Sequence, residues 1–170
     1  DNMKLTFESN LNYQQEAIKS ITDLFEGQPL EDSILEFNLK EEGTLNLIIG
    51  VSNNLILSEE QILTNLQSIQ ANNEIKVSDK LDGMHFSVEM ETGTGKTYVY
   101  LRSIYELNKL YGFKKFVIVV PSVAIREGVL KNLEITHEHF QTLYDNVPVN
   151  FQVYDSTKVS TLRGFATTNN

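Results

Sequence analysis

The stretch that most constrains this chain is a glycine-containing loop, residues 92–97, which reads Thr-Gly-Thr-Gly-Lys-Thr. A short run with strand character leads into the loop, and a helical pattern over 98–111 follows it. Gly93 and Gly95 let the backbone take positive φ and come close to a ligand. The first amides of the following helix favour an anion. The order of strand, loop and helix therefore predicts a phosphate-binding loop.

The loop predicts a set of nucleotide-binding residues: Thr92, Gly93, Thr94, Gly95, Lys96 and Thr97. Lys96 is expected to reach the β- and γ-phosphates of ATP, and the Thr97 hydroxyl to ligate Mg²⁺, which makes both candidate catalytic residues. The general pattern would place its first glycine at Met90, and we interpret this departure as a family marker. The alternative is a Gly/Thr-rich turn that happens to contain lysine.

The length of 170 residues and the apolar content of 41% fit one globular domain with a sizeable core. The chain has no cysteine, which excludes disulfides and thiolate metal sites. No run approaches the ~18 consecutive apolar residues of a membrane helix, and no signal peptide opens the chain. We therefore expect a cytoplasmic protein with no membrane contact.

The negative charge is unevenly distributed along the chain. Residues 1–90 carry 16 acidic and 5 basic side chains, a net charge of −11, whereas residues 91–170 carry 7 and 9, a net charge of +2. Any surface that contacts nucleic-acid phosphates is therefore expected in the second half. The alternative is that the acidic half is simply a solvated surface.

An amphipathic helix is predicted over 12–26, with Asn12 as its cap and Gln15 as the capping-box partner. Gln14 directly follows Tyr13 in this tract. Its side-chain amide can both donate to and accept from a base edge, which suits adenine and not guanine. We select Gln14 as the adenine-reading residue. The alternative is an exposed first-turn residue with no ligand.

The region 28–84 shows no catalytic constellation. It predicts a β-hairpin over 33–51 and a helix that begins at a capping box, Ser58 and Gln61, and ends near Ala71. The region is interpreted as an accessory element packed on the nucleotide domain, or as a partner surface.

After the loop the pattern becomes α/β. The apolar run 116–120 is typical of a strand covered on both faces of a parallel sheet, and a helix of about 123–134 follows it. Pro121, Ser122 and Arg126 lie at the carboxyl end of this strand, where α/β sheets bind ligands, and are candidate contacts for a DNA backbone. The alternative is a strand-to-helix turn with a surface arginine.

Three further residues, two histidines and one aspartate, are of types that ligate metals. His137 and His139 lack metal-ligand spacing and are interpreted as surface residues. Asp155 ends a third predicted strand near 149–154, which is how a metal-binding acidic residue of an ATPase looks, but no acidic partner follows it. We expect that the chain stops before its acidic box.

Two stretches carry a resemblance to a known family. Residues 89–102 read Glu-Met-Glu-Thr-Gly-Thr-Gly-Lys-Thr-Tyr-Val-Tyr-Leu-Arg, and residues 116–129 read Phe-Val-Ile-Val-Val-Pro-Ser-Val-Ala-Ile-Arg-Glu-Gly-Val. They closely resemble the restriction (Res) subunit of type III restriction-modification enzymes, which are superfamily 2 helicase-like ATPases. The resemblance continues through 50–60, His139-Phe140 and 153–156.

The resemblance implies an α/β fold of the P-loop NTPase (RecA-like) type, a parallel sheet with flanking helices. The chain would hold an incomplete part of it, with an inserted β-hairpin/helix element. In this division 12–26 is the adenine-reading helix, 28–84 the accessory insertion and 85–170 the P-loop core, all in the N-terminal part of a first RecA-like domain. The family's acidic box, arginine finger and nuclease are expected outside 1–170.

The resemblance also implies a function. The parent protein would bind ATP and Mg²⁺, act as a motor or switch on double-stranded DNA, and cleave DNA together with a modification (methyltransferase) subunit. The chain alone is expected to hydrolyse ATP negligibly. Two alternatives stay open. One is a docking module for the modification subunit; the other is a small-molecule P-loop kinase, although 98–170 holds only Arg102, Arg126 and Arg163 for a lid.

Overall fold

A computed structural model describes residues 11–30, 53–91, 95–151 and 153. The described residues form four helices, which we number in chain order: α1 Asn12–Asp23, α2 Glu59–Asn72, α3 Lys96–Tyr111 and α4 Val123–Leu143. All four overlap helices predicted from the sequence. The helix α4 continues well beyond the predicted end at 134. The predicted β-hairpin over 33–51 and Asp155 lie outside the described residues.

Capping explains where the helices begin and end. At α2 the Ser58 hydroxyl accepts from the Gln61 amide at 3.2 Å, and the Gln61 side chain accepts from the Ser58 amide at 2.9 Å, so the predicted capping box is confirmed. Gly112 ends α3 with φ of +73°, as predicted. The predicted Asn12 cap is wrong, because Leu11 occupies the N-cap position of α1 and makes no side-chain cap.

The helix α3 lies between α1 and α4. On the α1 side, the Tyr111 hydroxyl donates to the Thr22 carbonyl at 2.7 Å, and Phe25 meets Phe113 edge-on with ring centroids 5.3 Å apart. On the α4 side, a buried cluster of Leu101, Tyr105 and Phe140 forms the core, and the rings of Tyr105 and Phe140 stack at 4.8 Å. The helix α3 is therefore packed against a neighbour on each side.

Side-chain amides, rather than strand ladders, join the segments that follow α1 and α3. Buried Gln28 donates to the Asn54 carbonyl at 2.7 Å and accepts from the Ile56 amide at 3.0 Å. Asn53 accepts from the amides of Lys114 and Lys115 at 2.7 and 3.0 Å, and donates to the Lys115 carbonyl at 2.8 Å. Each amide thus satisfies backbone groups as a neighbouring strand would.

The predicted α/β fold with a parallel sheet is wrong for the part of the chain that the structure describes, which is helical and contains no strand. The run 116–120 is neither helix nor strand, and Val117 and Val119 are 76% and 88% exposed. An apolar, β-branched run becomes a strand only when another segment pairs with it and covers it. Here the chain just before the run is bonded to the Asn53 side chain, and no described segment pairs with the run.

The described parts of 85–91 and 149–153 likewise form no strand. The strands predicted before the loop and near 149–154 are therefore not found in these residues. Among the described helices, none combines the length and apolar content that crossing a bilayer requires.

Candidate functional site

The predicted phosphate loop ends where α3 begins. Gly95 is the N-cap of α3 in the left-handed region, with φ of +85° and ψ of 43°, and its carbonyl accepts the first helical bond from the Val99 amide at 3.1 Å. Such a conformation favours glycine. Lys96 and Thr97 form the first turn, where the helix dipole is positive and amides lack intrahelical acceptors. Thr92, Gly93 and Thr94 lie outside the described residues.

Lys96 is exposed, and Thr97 is half-buried at the base of the same turn. Lys96 forms no ion pair with any residue in the described ranges. Thr97 borders an open groove of about 640 Å³ whose other walls come from the run 116–120 and the first turns of α4.

The structure brings Gln14 to this loop. Gln14 lies in the first turn of α1 and is only 7% exposed. A Cβ atom placed on Gly95 would collide with Nε2 of Gln14. The side-chain amide therefore rests directly on the backbone that turns into α3, and the alternative of an exposed first-turn residue is wrong. Gly95 is required twice, for its positive φ and for the space that Gln14 fills.

The structure does not bond the candidate DNA contacts to the predicted loop. Pro121 and Ser122 are exposed, and the Ser122 hydroxyl caps α4 by accepting from the Ile125 amide at 3.2 Å. The Nη2 atom of Arg126 lies 3.5 Å from Glu127, while its buried Nε has no hydrogen-bond partner in the described part of the chain. No hydrogen bond or ion pair joins these residues to Lys96 within the described ranges.

A polar cluster between α3 and α4 was missed in the sequence. His139, interpreted as a surface residue, is half-buried, and its Nε2 lies 2.7 Å from the Tyr98 hydroxyl. Arg102 donates to the hydroxyls of Tyr98 and Tyr144 at 3.5 and 3.1 Å. The Tyr144 hydroxyl in turn donates to Glu106 at 2.7 Å. The sequence does contain a signal for this cluster. Tyrosines recur at helical spacing on α3, and ring residues recur at similar spacing on α4.

The cluster shifts the titration of its members. Burial and the nearby charge of Arg102 lower the pKa of His139 below its ordinary value. Burial, and then the hydrogen bond to Glu106, raise the pKa of Tyr144. Burial also raises the pKa of Tyr98. At neutral pH the cluster therefore contains a neutral imidazole and protonated tyrosines. No group of three or more metal-ligating side chains occurs among the described residues.

Comparison with known proteins gives the family. A family model described as the res subunit of the type III restriction enzyme matches residues 9–160. The EcoPI Res subunit of Escherichia phage P1 is 32% identical over 145 residues, covering 82% of this chain and 14% of that protein.

Two further type III restriction-modification enzymes give the same result. The Escherichia coli EcoP15I Res subunit is 33% identical over 144 residues, covering 82% of this chain and 14% of that protein. The Salmonella typhimurium StyLTI Res subunit is 49% identical over 67 residues, covering 38% of this chain and 7% of that protein. The chain thus spans about 14% of the length of the first two relatives. It belongs to the family of type III restriction enzyme Res subunits.

Proposed function

We propose that this chain is the ATP-binding part of a Res subunit, an ATP-dependent motor or switch on DNA whose action leads to site-specific double-strand cleavage. The observation that carries the proposal is the contact of Gln14 with Gly95. It places a buried side-chain amide beside a glycine turn and the start of a helix. An amide can pair with the adenine edge while the helix start receives the phosphates.

The residues present fit a nucleotide. Lys96 would place its charge on the β- and γ-phosphates, and the amides of the first turn of α3 would donate to phosphate oxygens. Thr97 would offer its hydroxyl to Mg²⁺. A bound Mg²⁺ supplies positive charge where negative charge develops on the phosphates. In such a site catalysis rests on electrostatic stabilisation by fixed donors and charges.

The proposed partners are double-stranded DNA and a modification (methyltransferase) subunit. Pro121, Ser122 and Arg126 are the proposed DNA contacts. The side chain of Arg126 is 42% exposed, and an exposed guanidinium can donate to a phosphate oxygen. Arg126→Ala should weaken DNA binding uniformly across sequences and reduce the salt dependence, whereas Lys131→Ala, further along the exposed face of α4, should change neither. Equal binding by both variants would remove Arg126 from the proposal.

A titration of fluorescent ATP with Mg²⁺ tests the nucleotide site. Lys96→Ala and Gln14→Ala should each weaken binding. Two matched controls, Lys109→Ala at the other end of α3 and Gln15→Ala next to Gln14, should bind as the unchanged chain does. ATP should compete better than GTP if Gln14 reads the base.

Each outcome separates one part of the proposal. Loss of binding in both site variants, with intact controls, supports a loop and an adenine pocket assembled within these residues. Binding that ignores Lys96→Ala would refute the phosphate-loop assignment. Equal competition by GTP would refute base reading by Gln14 and leave the phosphate loop standing.

A further inference from the structure

Five side chains form a hydrogen-bonded chain that crosses between α3 and α4, which we call the α3–α4 bridge: His139, Tyr98, Arg102, Tyr144 and Glu106. All five are titratable or charged, and all five are half-buried. The bridge lies outside the proposed nucleotide contacts. One of its members, Tyr98, nevertheless directly follows Thr97 in the sequence.

Three hydrogen bonds of the bridge have a defined direction. Arg102 has only donors, so the hydroxyls of Tyr98 and Tyr144 accept from it. The Tyr144 hydroxyl donates its own proton to Glu106. The Tyr98 hydroxyl pairs with Nε2 of His139, whose lowered pKa keeps the imidazole neutral at neutral pH.

The bridge begins at the residue that follows the proposed Mg²⁺ ligand. Tyr98 is the next residue after Thr97, and its ring also packs on His139 and Phe140, with centroids 5.5 and 5.4 Å away. On the opposite side of the same turn, Gln14 rests on Gly95. The first turn of α3 is therefore held from both neighbouring helices, by α1 before Lys96 and by α4 after Thr97.

We propose that Tyr98 and His139 are positioning residues, which set the rotation of the first turn of α3 and so aim the Thr97 hydroxyl at nucleotide-bound Mg²⁺. The inference rests on the proposed nucleotide site. Successive helical residues are about 100° apart around the axis, because a turn contains about 3.6 residues. A hydroxyl fixed at Tyr98 therefore also fixes the direction of Thr97.

The alternative is that the bridge only stabilises the packing of α3 on α4. The two roles differ in what they predict for metal dependence. A structural role lowers the free energy of unfolding and leaves the nucleotide affinity of the folded chain unchanged. A positioning role reduces specifically the part of the affinity that Mg²⁺ contributes, because Thr97 acts through the metal.

The test measures ATP affinity with Mg²⁺ and with EDTA in four variants. Tyr98→Phe removes only the hydroxyl, and His139→Leu removes the hydrogen-bond partner of Tyr98. His139→Gln restores a side chain that can both donate and accept. Tyr105→Phe is the matched control, since it removes a hydroxyl two turns further along α3, from the same aromatic stack, where Tyr105 bonds Gln141.

We expect Tyr98→Phe and His139→Leu to weaken binding about three- to tenfold in Mg²⁺, the range of one neutral hydrogen bond, with little change in EDTA. His139→Gln should recover most of the loss, and Tyr105→Phe should bind as the unchanged chain does. Melting temperatures of all variants, measured in parallel, show that the folded chain is being compared.

Three results overturn the inference. If Tyr98→Phe and His139→Leu bind like the unchanged chain while Lys96→Ala does not, the positioning role fails and the nucleotide site stands. If Tyr105→Phe weakens Mg²⁺-dependent binding equally, the bridge is only packing. If the unchanged chain binds no nucleotide, the proposed function fails and the positioning role fails with it.

Discussion

Replacement of Gly95 by alanine perturbs two features of the loop at once. The backbone there has φ of +85°, and the added methyl group would occupy the space of Nε2 of Gln14. The backbone strain at residue 95 does not depend on any neighbouring side chain. The steric collision depends on Gln14, and it disappears when the Gln14 side chain is shortened.

The two effects have separable magnitudes. A non-glycine residue in the left-handed region costs roughly 1–2 kcal/mol. The collision involves the far end of a flexible side chain, so Gln14 can swing away while the backbone keeps its path. Moving a buried amide out of its place costs about 1 kcal/mol, at the low end of coupling energies between contacting residues. Gly95→Ala should therefore destabilise the chain by roughly 2–3 kcal/mol in total.

A double-mutant cycle separates the pair from the backbone. Urea unfolding, followed by the helical circular dichroism signal, is measured for the unchanged chain, Gly95→Ala, Gln14→Ala and the double variant. The cost of Gly95→Ala should fall by about 1 kcal/mol in the Gln14→Ala background. Gly112→Ala is the control: its φ is +73°, but it lies at the other end of α3, so its cost should be the same in both backgrounds.

The refuting result is additivity. If the cost of Gly95→Ala agrees in the two backgrounds within about 0.3 kcal/mol, Gln14 does not rest on Gly95. The adenine-reading role of Gln14 would then lose its structural support, because the amide would not be held beside the loop.

Three further predictions concern stability, pH and turnover. Asn53→Ala should lower the free energy of unfolding by roughly 0.5–1.5 kcal/mol in urea titrations, because it removes hydrogen bonds to two backbone amides and a carbonyl that water can only partly replace. The folded-state pKa of His139 is lowered, so the folded chain binds fewer protons than the unfolded chain; stability is present above a pH of about 6.5 and is lost as the pH falls through the folded pKa. His139→Gln should make the urea midpoint fall less as the pH is lowered. His137→Gln, at an exposed site, should leave this pH dependence unchanged. ATP turnover by the chain alone should be negligible in a phosphate-release assay and unchanged by Lys96→Ala, since an acidic box to orient water is not identified in the sequence.

The helices could be predicted because their signals are local. Apolar spacing, the Ser58 and Gln61 capping box and the C-cap at Gly112 each act within one or two turns. The helix α4 continues past the predicted end near 134, although Thr136 and Thr142 have low helix propensity. Their hydroxyls bond the carbonyls one turn back, at 2.6 and 3.0 Å, and both residues continue the helix.

The strand prediction failed because a strand depends on its neighbour. The composition of the run 116–120 indicates only that it can pair, and it cannot specify a pairing partner. The contact that fixes this part of the chain comes from Asn53, about 60 positions away from Lys114 and Lys115. Periodicity carries no information about such a contact, and asparagine between apolar runs is usually read as a turn residue.

The candidate site likewise depends on a local motif and on contacts from residues far away in the sequence. The motif predicts Gly95, Lys96 and Thr97 from spacing alone, and the helix α3 begins where the motif requires. What the motif cannot predict is which side chains hold that helix start, and these come from α1 and α4 through Gln14 and His139. A binding group is most effective when its own surroundings fix it before the ligand arrives, because less ordering entropy is then lost on binding. If the loop binds a nucleotide as proposed, the residues flanking the motif in space help to set its affinity, and they are where relatives with the same motif can differ.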